Sequence, residues 1–171
     1  MNPLGSVLDI VPVISPLDWQ TARNGDYVSL KNAKGVLFVI HKGQGTDGDD
    51  PTFTLRQATT VAGGSVKDAA VITEYWEKEE NAANLEATGA WTRVTQTAAA
   101  TIAPGDPSAQ SAALYAFYVE ADSLDVDGGF DCVTVNIGDT GTNAQLGNVL
   151  AILVGLRYPA APQNLPNSIA N

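Results

Sequence analysis

The chain has 171 residues, with 9 Lys plus Arg against 19 Asp plus Glu and a formal charge of −10. That balance argues against nucleic-acid binding, which needs clustered basic side chains to neutralise phosphates. A single Cys (Cys132) and a single His (His41) exclude an internal disulfide and the usual structural zinc site, and the length fits one domain whose core folds without staples.

Residues 1–16 contain Pro3, Pro12 and Pro16, carry no basic residue, and are broken by Asp9. They make a poor signal peptide. The segment VLDIVPVIS reads as extended, and because Pro12 cannot donate a ladder hydrogen bond it belongs to a margin, not a sheet centre. Two readings compete: a first edge strand of the domain, or an arm that pairs with another chain by strand addition.

Asp18–Thr21 fits a short helical turn capped by Asp18. Tyr27–Lys31 alternates and reads as a strand; Asn32–Gly35 then turns the chain into Val36–Lys42, so the pair looks like a hairpin. His41 ends that second strand, and a surface or hydrogen-bonded role is the bland reading against catalysis. In Gly43–Pro51, Asp47, Asp49 and Asp50 crowd a Gly-rich loop. They could supply part of a calcium shell or form a solvated loop tip. Thr52–Thr59 is the next strand, with Phe53 and Leu55 inward.

Val61–Lys67 reads as a turn region and Val71–Glu77 as a strand. Glu77–Ala90 is polar and reads mostly as loop, with Glu77, Glu79, Glu80 and Glu86 forming an acidic patch. Trp91–Thr97 is a further strand. Ala98–Gln110 is small and turn-prone, with Pro104-Gly105-Asp106-Pro107 inside it.

The stretch Ala112–Pro159 is expected to hold the centre of the core, as three strands: Leu114–Glu120, Phe130–Asp139 and Val149–Tyr158. In the second, Val133, Val135 and Ile137 alternate with Cys132, Thr134 and Asn136, the period-two pattern of a half-buried strand. Leu114–Val119 and Val149–Leu156 are apolar on both faces, which suggests central strands. The latter is far shorter than the roughly 20 residues a bilayer span needs. Asp122–Asp131 fails as a calcium-binding EF-hand loop, since its twelfth position is Thr134 and not a bidentate Glu. Asp127-Gly128-Gly129 reads instead as hairpin turn chemistry. The tail Ala160–Asn171, with Pro162 and Pro166, reads as an extended arm, mobile when alone.

No dinucleotide or P-loop glycine motif and no GxSxG elbow occurs. With one His, a Ser/His/Asp triad has nothing to orient it. The expectation is therefore a protein that is not an enzyme, with no catalytic residues, no metal ligands and no cofactor.

Several segments together resemble proteins encoded in the head gene modules of tailed bacteriophages. They are Asp26–Asn32 (DYVSLKN), Lys42–Gln57 (KGQGTDGDDPTFTLRQ), Asp125–Val133 (DVDGGFDCV), Asn143–Gly147 (NAQLG) and Gly155–Pro166 (GLRYPAAPQNLP). The resemblance is to capsid decoration, or cement, proteins. It implies a β-rich protein on the outer face of the major capsid shell, made in the host cytoplasm and carried on the virion. It implies the major capsid protein and copies of itself as partners, a trimer being favoured over a dimer, with no nucleic acid and no membrane. Alternatives are a glycan- or receptor-binding virion module, in which Trp19, Trp76 and Trp91 would stack on sugars, and a tail or neck component.

The expected fold is all-β: an antiparallel β-sandwich or jelly-roll-like barrel of eight to ten strands at 17–159, between an extended N-terminal arm (1–16) and a C-terminal tail (160–171). The expected partner-binding residues lie on those arms: Val7, Leu8, Ile10, Val11, Val13, Ile14, Tyr158, Leu165 and Ile169.

Overall fold

The structure is a computed structural model that describes residues 3–80, 89–105 and 111–169. Glu86 of the expected acidic patch and Asp106-Pro107 lie outside these residues.

Among the described residues eleven strands form two antiparallel sheets: β1 (Leu8–Asp18), β2 (Val28–Ser29), β3 (Gly35–Lys42), β4 (Phe53–Ala58), β5 (Lys67–Asp68), β6 (Ile72–Glu80), β7 (Thr92–Ala99), β8 (Thr101–Ile102), β9 (Ala112–Glu120), β10 (Cys132–Ile137) and β11 (Leu146–Val154). One sheet has the order β1-β11-β3-β9-β6-β7; the other runs β2-β10-β4-β5, with β8 also on β4. The two sheets stay open and do not close into a barrel.

The core lies between them, because alternation sends every second side chain inward. From the large sheet come Val36, Phe38 and Ile40, then Tyr115, Phe117 and Val119, then Val149, Ala151 and Leu153. The small sheet supplies Phe53, Leu55, Val133, Val135 and Ile137, and all of these are buried. Phe53 joins the layers at one end, with Trp19 edge-on at 5.8 Å and Tyr115 at 5.5 Å between ring centroids.

The three strands of the 112–159 stretch do not stack side by side. β9 and β11 flank β3 in the large sheet, while β10 pairs with β4 in the small one. Two expected hairpins are accordingly corrected. Val28–Ser29 pairs with β10, not with β3, so the turn at 30–34 carries the chain from one sheet to the other. The Asp127-Gly128-Gly129 turn does the same between β9 and β10; Gly129 has φ +80° there, so the turn chemistry holds and the hairpin does not. Local turn signals fix a reversal of the chain but not which sheet it enters.

The expected loop from Glu77 is also corrected. β6 runs on to Glu80, because β9 pairs with it as far as Glu80 opposite Ala112. Tertiary pairing overrides the low strand preference of Glu and Lys.

Residues 8–18 are the edge strand of the large sheet, paired to β11 from Leu8 opposite Val154 to Asp18 opposite Leu146. The tail folds back on its own chain as well. Ala160 donates to the Gly5 carbonyl at 2.9 Å, and Ser29 of β2 donates to the Ser168 carbonyl at 2.8 Å.

Candidate functional site: a solvent-facing apolar sheet side

The outward side of the large sheet follows from its register. Trp76, Ala116, Val39, Leu150 and Pro12 lie opposite one another in turn, forming one row across β6, β9, β3, β11 and β1. Tyr118, Leu37, Ile152 and Ile10 form the next row across β9, β3, β11 and β1. Each strand's other side chains fill the core, so these rows point away from it. An antiparallel sheet with one solvated face ordinarily alternates apolar-in with polar-out. Here both sides of the central strands are apolar.

The side is open to solvent at its ends and half-buried at its centre. Ile10 is 49 % exposed, Trp76 41 % and Tyr118 43 %, whereas Leu37, Val39, Leu150 and Ile152 are intermediate. A contiguous apolar surface open to solvent is a candidate interaction site.

Polar groups line the rim. Arg93 pairs with Glu74 beside Trp76. The Lys78 ammonium lies 5.9 Å from the Trp91 ring centroid, a cation–π contact, and Trp76, Trp91 and Ala116 line a shallow cleft of ≈ 250 Å³. The Tyr118 hydroxyl donates to Glu120 at 3.2 Å. Burial and then the Glu120 carboxylate push its pKa up, so the phenol stays neutral and keeps donating.

The expected partner-binding residues divide. Val11, Val13 and Ile14 are core residues of the sandwich. Leu8 is intermediate, and Leu165 and Ile169 pack against the chain's own core. Val7, Ile10 and Tyr158 are exposed, and Ile10 alone among them sits in the apolar rows.

Sequence reasoning did not find Leu37, Val39, Ala116, Leu150 and Ile152 as a surface. For Ala116, Leu150 and Ile152 the signal is there, in two strands apolar on both faces, but such a strand reads as buried on both sides until the sheet order is known.

The other clusters hold themselves together. The Asp49 carboxylate accepts from the Asn143 backbone and side-chain amides at 3.1 and 2.8 Å, so it clips two loops. Asp125 accepts from the Gly128 amide and pairs with Lys67, whose hydrogen bond is the main reason its pKa falls. Among the described residues no group of three or more His, Cys, Asp or Glu is placed to hold a metal ion.

Lys42 is the one fully buried cation among the described residues. It donates to the Ser111 carbonyl at 2.5 Å. On its face of the sheet it lies in the row Lys42–Ala113–Glu79. Burial pulls its pKa down to about 8, against the opposing pull of Glu79 and Asp50. Burial, then the Asp131 carboxylate that accepts from its thiol, pushes Cys132 up to about 12. The thiol is therefore protonated and inert at neutral pH.

No family model matches the chain, and neither the curated proteins nor the solved structures yield a match to it.

Proposed function

We propose that this chain is a structural virion protein that binds the outer surface of the major capsid shell of a tailed bacteriophage and stabilises it. The observation that carries this reading is the apolar outward side of the large sheet, from Ile10 to Trp76. Such a side needs a partner and performs no chemistry of its own. The sequence resemblance to capsid decoration proteins supplies the class of partner.

A protein that binds the assembled shell and not its dissociated subunits shifts the equilibrium toward the shell by mass action. Many copies repeat that gain over the surface. The charge of −10 then keeps the decorated particle soluble and away from nucleic acid. In this reading the sheet side makes the contact, since residues 8–18 pair within the large sheet and Ala160, Leu165, Ser168 and Ile169 bond to or pack on the chain's own fold.

The test is to add purified chain to shells that lack it and measure binding and thermal rupture. Binding with a raised rupture temperature is expected. The double variant Trp76→Ser, Leu150→Gln, which keeps the inward core, is expected to lose both. Shells equally robust with and without the chain would sink the reading.

The Trp76–Trp91 cleft favours a second reading, a glycan- or receptor-binding virion module, because exposed indoles stack on sugar rings. A saccharide titration followed by tryptophan fluorescence separates the two. A tail or neck component is separated by copy number: coverage of the whole shell against a few copies at one vertex.

A further inference from the structure

We infer that the two touching loops at 43–51 and 138–145 hold a calcium ion, with the Asp50 carboxylate and the Gln145 side-chain oxygen among its ligands. The inference does not rest on the capsid reading. It chooses between the two readings of the Asp47, Asp49 and Asp50 loop, and it sets aside the expectation of no metal ligand.

The loops are joined at two points. Asp49 of the first accepts from the Asn143 backbone and side-chain amides of the second. Gln145 makes the other junction: its Nε2 donates to the Gly43 carbonyl at 2.7 Å and to the Gln44 carbonyl at 3.3 Å. Gln145 is fully buried, so its amide is fixed pointing into the 43–51 loop. The nitrogen faces those carbonyls because the reverse orientation would set oxygen against oxygen. That leaves Oε1 buried with no hydrogen-bond partner. The Oδ1 of Asp50, in the same loop, is also buried without one.

A buried acceptor with no donor is costly, and native folds answer it with an ordered water or an ion. Charge favours the ion. The two loops carry Asp47, Asp49, Asp50 and Asp139, and none of the five ion pairs among the described residues includes any of them. Lys42 offsets only part of that charge. Its ammonium donates to the Ser111 carbonyl, and Glu79 acts on it more strongly than Asp50 does.

The donor set selects the ion. A carboxylate oxygen and an amide oxygen suit a hard cation and not a thiophilic one. Calcium accepts about six to eight oxygens in irregular geometry, water and backbone carbonyls among them, whereas magnesium demands a near-ideal octahedron. The set is not a cluster of three or more acids, of which the described residues have none. Low ligand charge makes a weak site, with Kd of about 0.1–1 mM.

The test uses the full chain, freed of metal by a chelator, at constant ionic strength. Calorimetric titration with calcium chloride should show one site in that range. Calcium should also raise the melting temperature above that in matched sodium chloride or magnesium chloride. Asp50→Asn keeps the side chain's size and should weaken calcium about tenfold or more, with melting in chelator to verify its folding. Asp125→Asn, beyond the opposite end of β9 from these loops, should bind calcium as the native chain does. Terbium gives a readout that needs no variant. Bound here, it should take up excitation from Trp19, whose backbone amide donates to the Gln145 carbonyl at 2.8 Å, and calcium should displace it. No heat, and no melting shift beyond that in sodium chloride, would mean that water alone fills the site and would overturn the inference. Calcium binding unchanged in Asp50→Asn, or lost equally in Asp125→Asn, overturns it too, as does terbium without tryptophan-sensitised emission.

Discussion

Gly147 on β11 is the floor on which the Trp19 indole rests: a Cβ at residue 147 would overlap the ring at Cη2 and Cζ2 and would also lie 2.7 Å from the His41 carbonyl. Trp19 in turn stands edge-on to Phe53 of the opposite sheet. A missing side chain in one layer therefore makes room for the largest aromatic that joins the two. Gly147→Ala is expected to cost about 2–3 kcal/mol in urea unfolding, the scale of overpacking a filled core. In a Trp19→Leu background the same substitution should cost less, the remainder being the clash with the His41 carbonyl, because the indole is the nearer of the two groups it strikes. Equal costs in both backgrounds would show that Trp19 is not the constraint.

Lys42 predicts a pH dependence. Its pKa falls from an ordinary 10.5 to about 8 in the fold, with burial as the main cause. The unfolded chain therefore holds the proton more strongly between those values. The cost of the buried charge is present in full below about pH 8 and is relieved as pH rises toward 10.5. Relative to Lys42→Met, the native sequence should gain stability across that window, with a ceiling of about 3 kcal/mol. Denaturant titrations of both proteins at about pH 7 and about pH 10 measure it. Parallel pH profiles would contradict the assignment.

The tail is structural. A chain ending at Tyr158 loses the Ser168 carbonyl from the Ser29 amide, the Ala160 bond to Gly5, and the packing of Leu165 and Ile169 on the core. The expected loss is about 2 kcal/mol or more. The Ser29 amide should then exchange with solvent faster by hydrogen exchange. An unchanged melting temperature with unchanged protection at Ser29 would mean that the tail does not hold this edge.

Cys132 reports on global unfolding. Burial and the Asp131 carboxylate keep its thiol protonated, with a pKa pushed up to about 12. A thiol reagent at pH 7 should modify it only at the rate at which the chain opens, and in urea the modification should follow the unfolding curve. Rapid labelling of the native protein would show that β10 opens locally.

Period-two alternation and β-branched runs made the principal strands legible. Val36–Lys42, Thr52–Thr59 and Phe130–Asp139 overlap β3, β4 and β10, and the strand reading of the all-apolar Val149–Leu156 holds for β11. Alternation is local, so a sequence carries it directly. The short-range readings that failed were pairings. Tyr27–Lys31 with Val36–Lys42 has hairpin spacing, yet the first belongs to β10 and the second to β9 and β11. Pairing depends on which sheet has a free margin when the chain arrives, and residues far apart decide that.

The candidate site divides the same way. That Leu114–Val119 and Val149–Leu156 are apolar on both sides is already written in the order of their side chains. Strand pairing between distant segments leaves the second side uncovered among the described residues and turns Val11, Val13 and Ile14 into the chain's own core. A strand's composition states how much apolar surface it carries. Whether that surface meets another layer or meets water depends on how many layers the chain can build, and this one builds two.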